Sequence, residues 1–194
     1  MKKMRENILS IFLTSVFMIP TAFSSESAVA EEGGAISYNI GYMSEYWYRG
    51  VHQSDSAVSF GADYEVGGFY LGTWWADVDT GLEHDYYGGY AFSAMGMDMY
   101  AGFTGYYYTD NFDSDYEEFN FGVAMGPIAI DFADGNYDGS SVTDTGYTFT
   151  SVALDLAMVG LPMTLTAGYW GGDSSLKGNV YTPVSYTHLT LPTR

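Results

Sequence analysis

No cysteine occurs in the 194 residues, so disulfide staples and thiolate metal sites are excluded. Basic residues are nearly as scarce. Lys and Arg number 6 against 24 Asp and Glu, and between Glu31 and Pro183 the basic residues are Arg49 and Lys177. A net charge of −18 repels phosphate backbones, so no nucleic-acid partner is expected. Long apolar runs are missing as well. The stretch from Ile8 to Ile19 falls short of the roughly twenty residues that carry a helix across a bilayer. A helical membrane protein is thereby excluded. Acidity alone would suit a disordered chain, but such chains are poor in aromatics, and here aromatics reach 18%.

The first thirty residues have their own grammar. Lys2, Lys3 and Arg5 precede the Ile8–Ile19 run, and Ala28-Val29-Ala30 supplies a small-x-small site. This is the pattern of a Sec signal peptide, residues 1–30, with Glu31 the expected first mature residue and export out of the cytoplasm the consequence.

Beyond that point the dominant signal is period two, the mark of β-strands. In Ala35–Arg49, Ile36, Tyr38, Ile40 and Tyr42 alternate with Ser37, Asn39, Gly41, Met43, Glu45 and Arg49. The pattern predicts further strands over 57–66, 69–77, 85–92, 97–108, 116–125, 128–134, 145–157 and 163–170. Turns at Gly67-Gly68, Ser93–Gly96, Gly126-Pro127 and Met158–Pro162 are short, whereas 50–56, 78–84, 109–115 and 135–144 are long and mostly acidic. Short and long connections alternate along the whole chain. Transmembrane β-barrels have this asymmetry, with short periplasmic turns and longer extracellular loops. The expectation is therefore an all-β, antiparallel up-and-down barrel in the cell outer membrane, apolar face toward lipid. About nine strands are present, and an even total of 10–12 is expected for the full-length protein.

Aromatics cluster where strands meet loops. Trp47, Tyr48, Trp74, Trp75, Tyr86, Tyr107, Tyr169 and Trp170 are expected in an interfacial girdle. On the other face, Glu45, Asp63, Glu65, Asp98, Glu118, Asp131 and Asp155 would line a negative lumen, which predicts cation preference. Arg49 is expected to pair with Glu45, Asp63 or Glu65, since an unpaired charge in a narrow lumen is costly. Mid-strand glycines, among them Gly72, Gly89, Gly102 and Gly122, leave room for inward Tyr70, Trp74, Tyr87 and Tyr100. Asp110, Asp113 and Asp115 form an oxygen-rich loop that could hold Ca²⁺, although the EF-hand spacing is missing and a solvated loop is the simpler reading.

The segments Asn39-Ile40-Gly41, Ser44-Glu45-Tyr46, Arg49-Gly50-Val51-His52-Gln53-Ser54 and Gly68-Phe69-Tyr70-Leu71-Gly72-Thr73-Trp74 resemble the opening of the TorF-type porins, also catalogued as the Gcw-type family of proteobacteria. Asp85-Tyr86-Tyr87-Gly88-Gly89-Tyr90 is similar to the acidic, Gly/Tyr-rich fourth segment of that family. The resemblance implies an outer-membrane barrel and a longer chain, and supplies no catalytic residues. The barrel is expected over 31–183. The tail 184–194 resembles translated sequencing adapter, and truncation is expected there.

The functional expectation is a narrow porin passing cations or small polar solutes. A non-conducting structural or adhesin barrel is the alternative. Lipid, lipopolysaccharide and the barrel-assembly machinery are the expected partners, with no cofactor. Catalysis is not expected: His52 and His84 fall in expected loops, and no G-x-S-x-G elbow accompanies them.

Overall fold

The computed structural model describes residues 27–31, 34–138, 145–181 and 184–186. It is an antiparallel all-β fold. In chain order the strands are β1 (Ser27–Glu31), β2 (Gly34–Met43), β3 (Tyr46–Tyr48), β4 (Val51–Ser54), β5 (Ala57–Val66), β6 (Phe69–Asp77) and β7 (Leu82–Ala94). They continue as β8 (Met97–Tyr108), β9 (Asp115–Met125), β10 (Ile128–Asp138), β11 (Thr145–Asp155), β12 (Met163–Gly172), β13 (Val180–Tyr181) and β14 (Val184–Tyr186). One large sheet runs β1-β2-β5-β6-β7-β8-β9-β10-β11-β12-β13, with β14 also on β12, and β3 with β4 forms a separate ribbon.

Each long strand pairs with its chain neighbours, as an up-and-down meander requires. The tight turns follow from local chemistry. Gly67 (φ 59°) and Gly68 (φ 96°) are both left-handed, as the favoured two-residue hairpin demands, and Met95 (φ 56°) with Gly96 (φ 78°) repeats it.

Alternation sorts the side chains onto two faces. On the outer face Leu71 is 59% exposed, Phe119 68%, Phe60 52% and Phe121 50%, with Ile40, Phe103 and Ile130 similarly open. The opposite face is the buried one, and it carries Ser59, Asp63, Glu83, Asp85, Thr104, Glu118 and Asn120 beside Trp74, Tyr87, Tyr100 and Tyr106. Large apolar side chains are thus exposed and several acids buried. Rings cover the inward glycines: Tyr70 lies over Gly89 and Gly102, Tyr87 over Gly72, and Tyr100 over Gly122. Without a Cβ at those positions, the rings can lie flat across the concave face.

The sheet curls but is not closed into a ring. Among the described residues no ladder joins β2 to β12. Both outer edges are already paired, β2 with β1 and β12 with β13 and β14. The expected closed barrel is therefore a curled open sheet here.

Four boundaries differ most from expectation. The first strand stops at Met43 and not at Arg49, because Ser44-Glu45 bend the chain and Arg49 (φ 46°) with Gly50 (φ 81°) make a tight turn. The segment after the bend folds back as the β3–β4 hairpin. The 78–84 connection shrinks, since β7 already begins at Leu82, and Gly135–Asp138 belongs to β10. A short 3₁₀ turn, Leu156–Val159, replaces the end of the eighth expected strand. The expected leader lies mostly outside the described residues, though β1 covers the expected cleavage position. Of the expected tail, Val184–Tyr186 is described, as β14.

Candidate functional site

The hairpin Tyr46–Ser54 turns inward and lies against the concave face. Its tip, Arg49, reaches across to β9. Nη1 donates to Glu118 Oε2 at 2.7 Å and Nη2 to Oε1 at 2.8 Å, a bidentate pair with side-chain exposures of 14% and 0%. Glu118 also accepts from Tyr106 (2.9 Å), Tyr147 (2.9 Å) and Asn120 (2.8 Å), and Asn120 in turn accepts from Thr104. The guanidinium carbon sits 4.6 Å from the Phe149 ring centre, 4.9 Å from Tyr48 and 5.8 Å from Trp170. Trp170 Nε1 donates to the Arg49 carbonyl at 3.0 Å, and the Tyr106 hydroxyl, which donates to Glu118, accepts from the Tyr48 hydroxyl at 2.6 Å. Burial disfavours charge on Arg49, but the Glu118 carboxylate with its hydrogen bonds and the Tyr48 and Tyr106 hydroxyls together outweigh burial and hold the guanidinium pKa well above its ordinary value. The hairpin thus ties together strands from both halves of the curled sheet.

Below this hub the inner face repeats one motif, a carboxylate under a phenol. Tyr87 donates to Asp63, Tyr100 to Asp131 at 3.0 Å, and Tyr46 of the hairpin to Glu83 at 2.6 Å. Asp85 follows Glu83 by two residues, on the same face and fully buried. Such a surface can hold cations and hydrogen-bonding groups. Among the described residues no group of three His, Cys, Asp or Glu is placed to hold a metal.

The acids expected on one face are divided between the concave face, a turn end and the bends. Asp63, Glu118 and Asp131 lie inward, with Glu65 half-buried and Asp98 at the turn end accepting from Ser93. Arg49 pairs with Glu118, and none of the three expected partners holds it, because the inward hairpin carries the guanidinium across the sheet. Glu45 is exposed in the bend and accepts from Trp47. Asp155 is exposed and caps the 3₁₀ turn through the Ala157 amide. Of the aromatics expected in a girdle, Trp75, Tyr86, Tyr107 and Tyr169 face outward and Trp47 is exposed on the hairpin, but Tyr48, Trp74 and Trp170 point inward. An outward row runs Phe60–Trp75–His84–Tyr107, with ring centres 5.7, 4.9 and 6.0 Å apart. His84 is thus a strand residue in a stack, and His52 lies in β4, so neither occupies the loop expected for it. The Asp110, Asp113, Asp115 group does not converge: Asp113 is taken by Tyr116, Tyr137 and the Ser114 amide.

Sequence reasoning missed Glu83, Asp85, Tyr106 and Tyr147. Counting back by twos from inward Tyr87 reaches Asp85 and Glu83, so the first two were within reach of the parity argument.

A family model described as "Bacterial protein of unknown function (Gcw_chp)" matches residues 27–189. The match starts ahead of the expected cleavage position and runs into the expected tail. No curated protein and no solved structure matches the chain.

Proposed function

This chain belongs to the Gcw_chp family of bacterial proteins, and from that premise we propose that it is an outer-membrane β-barrel of the TorF porin type, whose acidic lumen passes cations or small polar solutes. The observation that carries the reading is the inverted distribution of polarity. Phe119, Met125, Phe69 and Leu71 stand at 59–68% exposure on the convex face, while carboxylates are buried on the concave one. Water penalises that outer surface and acyl chains reward it. Contiguous apolar surface of this extent marks a membrane or partner interface. Closure follows from processing: cleavage after Ala30 removes all of β1 except Glu31, and frees the β2 edge for a closing strand.

The acid excess of the inner face supports cation preference. Reversal potentials of the purified protein in planar bilayers under a salt gradient test it, and anion preference overturns it. Recovery of the processed protein from a detergent-free periplasmic supernatant as a soluble monomer overturns the membrane reading itself. A second reading, a non-conducting structural or adhesin barrel, draws support from the inward hairpin and the tyrosine rings across the concave face. Absence of any current from correctly folded protein would select it.

A further inference from the structure

Glu83 and Asp85 on β7 have relative exposures of 1% and 0%. Tyr46 donates to Glu83 Oε1, and Tyr108 is the direct cross-strand neighbour of Glu83. Asp85 sits between Trp74 on β6 and Tyr106 on β8, but Tyr106 gives its hydrogen to Glu118. Among the described residues, neither carboxylate oxygen of Asp85 has a hydrogen-bond partner, and Glu83 Oε2 likewise has none. A further buried hydroxyl, Ser59 Oγ at 0% residue exposure, is unpartnered on the same rung as Glu83, one strand beyond the small Ala76.

A buried carboxyl with no donor is among the least tolerable groups in a protein interior. Arg49 cannot relieve it, because both arms of its guanidinium are held by Glu118, and Lys177 is exposed on a loop beyond β12. What these oxygens lack is positive charge. The donors on offer are all hard oxygens, two carboxylates with hydroxyls nearby, and no thiolate exists in the chain.

We propose that Glu83 and Asp85 form a binding station for a divalent, oxygen-seeking cation of the Ca²⁺ class inside the lumen, beneath the inward hairpin. Two carboxylates balance one divalent charge, and retained waters fill the coordination that the protein does not supply. Tyr46 ties the hairpin to the same carboxylate, so an ion there would also brace that hairpin. The inference deepens the acidic-lumen reading and rests on it for access of the site to water.

Tb³⁺ tests it directly on the full-length protein in detergent, because Tyr46, Tyr108 and Trp74 lie beside the acids and would sensitise lanthanide emission. The expected result is saturable emission displaced by Ca²⁺. Asp85→Asn and Glu83→Gln should each weaken binding by roughly tenfold or more, while Asp173→Asn in the exposed turn after β12 leaves it unchanged. Unfolding curves recorded in chelator verify folding, and there Asp85→Asn should be no less stable than the parent protein, since no cation then balances the buried carboxylate. Wild-type-like emission from folded Asp85→Asn overturns the proposal, as does non-saturating emission from the parent protein. Emission without any bilayer current would sink the porin reading and leave the site standing. Current without saturable emission would do the reverse.

Discussion

Breaking the pair between Arg49 and Glu118 should reveal what holds the inward hairpin in place. Glu118 collects two hydrogen bonds from the guanidinium and three more from Tyr106, Tyr147 and Asn120, with its side chain fully buried. Glu118→Gln preserves shape and an acceptor oxygen but strands the guanidinium, and removal of one partner of a buried pair costs about 3–5 kcal/mol. Arg49→Met strands the carboxylate instead, at a comparable cost eased by the three remaining donors. The double variant Arg49→Met/Glu118→Gln removes both charges and keeps an oxygen for the tyrosines. It should regain most of the loss, giving a coupling energy on the order of 2–3 kcal/mol. Denaturant unfolding of the protein in detergent measures all three variants, with Trp170 and Trp47 as fluorescent reporters next to the hairpin. If the double variant loses the sum of the two singles to within about 0.5 kcal/mol, the groups are independent and the latch does not exist. The same variants separate mechanism from stability in bilayers: a released hairpin should raise single-channel conductance in Glu118→Gln relative to the parent protein.

Phe121 lies mid-strand on the outer face at 50% exposure. Phe121→Arg should cost about 2–4 kcal/mol in a bilayer, whereas in a water-soluble sheet the change would stay within about 0.5 kcal/mol; unfolding in lipid vesicles distinguishes the two. Gly122→Ala places a methyl group inside the Tyr100 ring and pushes that phenol off Asp131, so a loss of about 1–3 kcal/mol is expected by thermal unfolding. Gly67→Ala meets nothing within 4 Å and should cost about 1 kcal/mol, from its left-handed backbone alone. Trp170→Phe keeps the ring against Phe149 but removes the donor to the Arg49 carbonyl, and should cost about 1 kcal/mol and weaken the hairpin's hold.

Much of the architecture was legible because period-two patterning is a local property. β5, β6 and β8 begin and end at the residues that the alternation indicates, since Gly67-Gly68 and Met95-Gly96 punctuate it with turn chemistry that leaves little choice. The inward glycines and the tyrosines above them were legible for a related reason, because parity assigns them to one face and volume does the rest. Parity failed where the chain stopped being a strand. Past Ser44-Glu45 the alternation continues on paper, so Glu45 read as a lumen residue and Tyr48 as a girdle residue, whereas the bend exposes the first and sends the second inward.

From the residues alone came the all-β meander, which face is apolar, the excess of acid on the other, and membership in a family of shared pattern. Tertiary structure alone decided that SEYWYRGVHQS folds back across the concave face, that Arg49 spans to Glu118 sixty-nine residues away, and that Glu83 and Asp85 share a buried patch with no counter-charge among the described residues. The division has a simple cause. Facing is set by neighbours two residues apart, but partnership across a curled sheet depends on how strands far apart in sequence are brought together, and no short-range pattern encodes that distance.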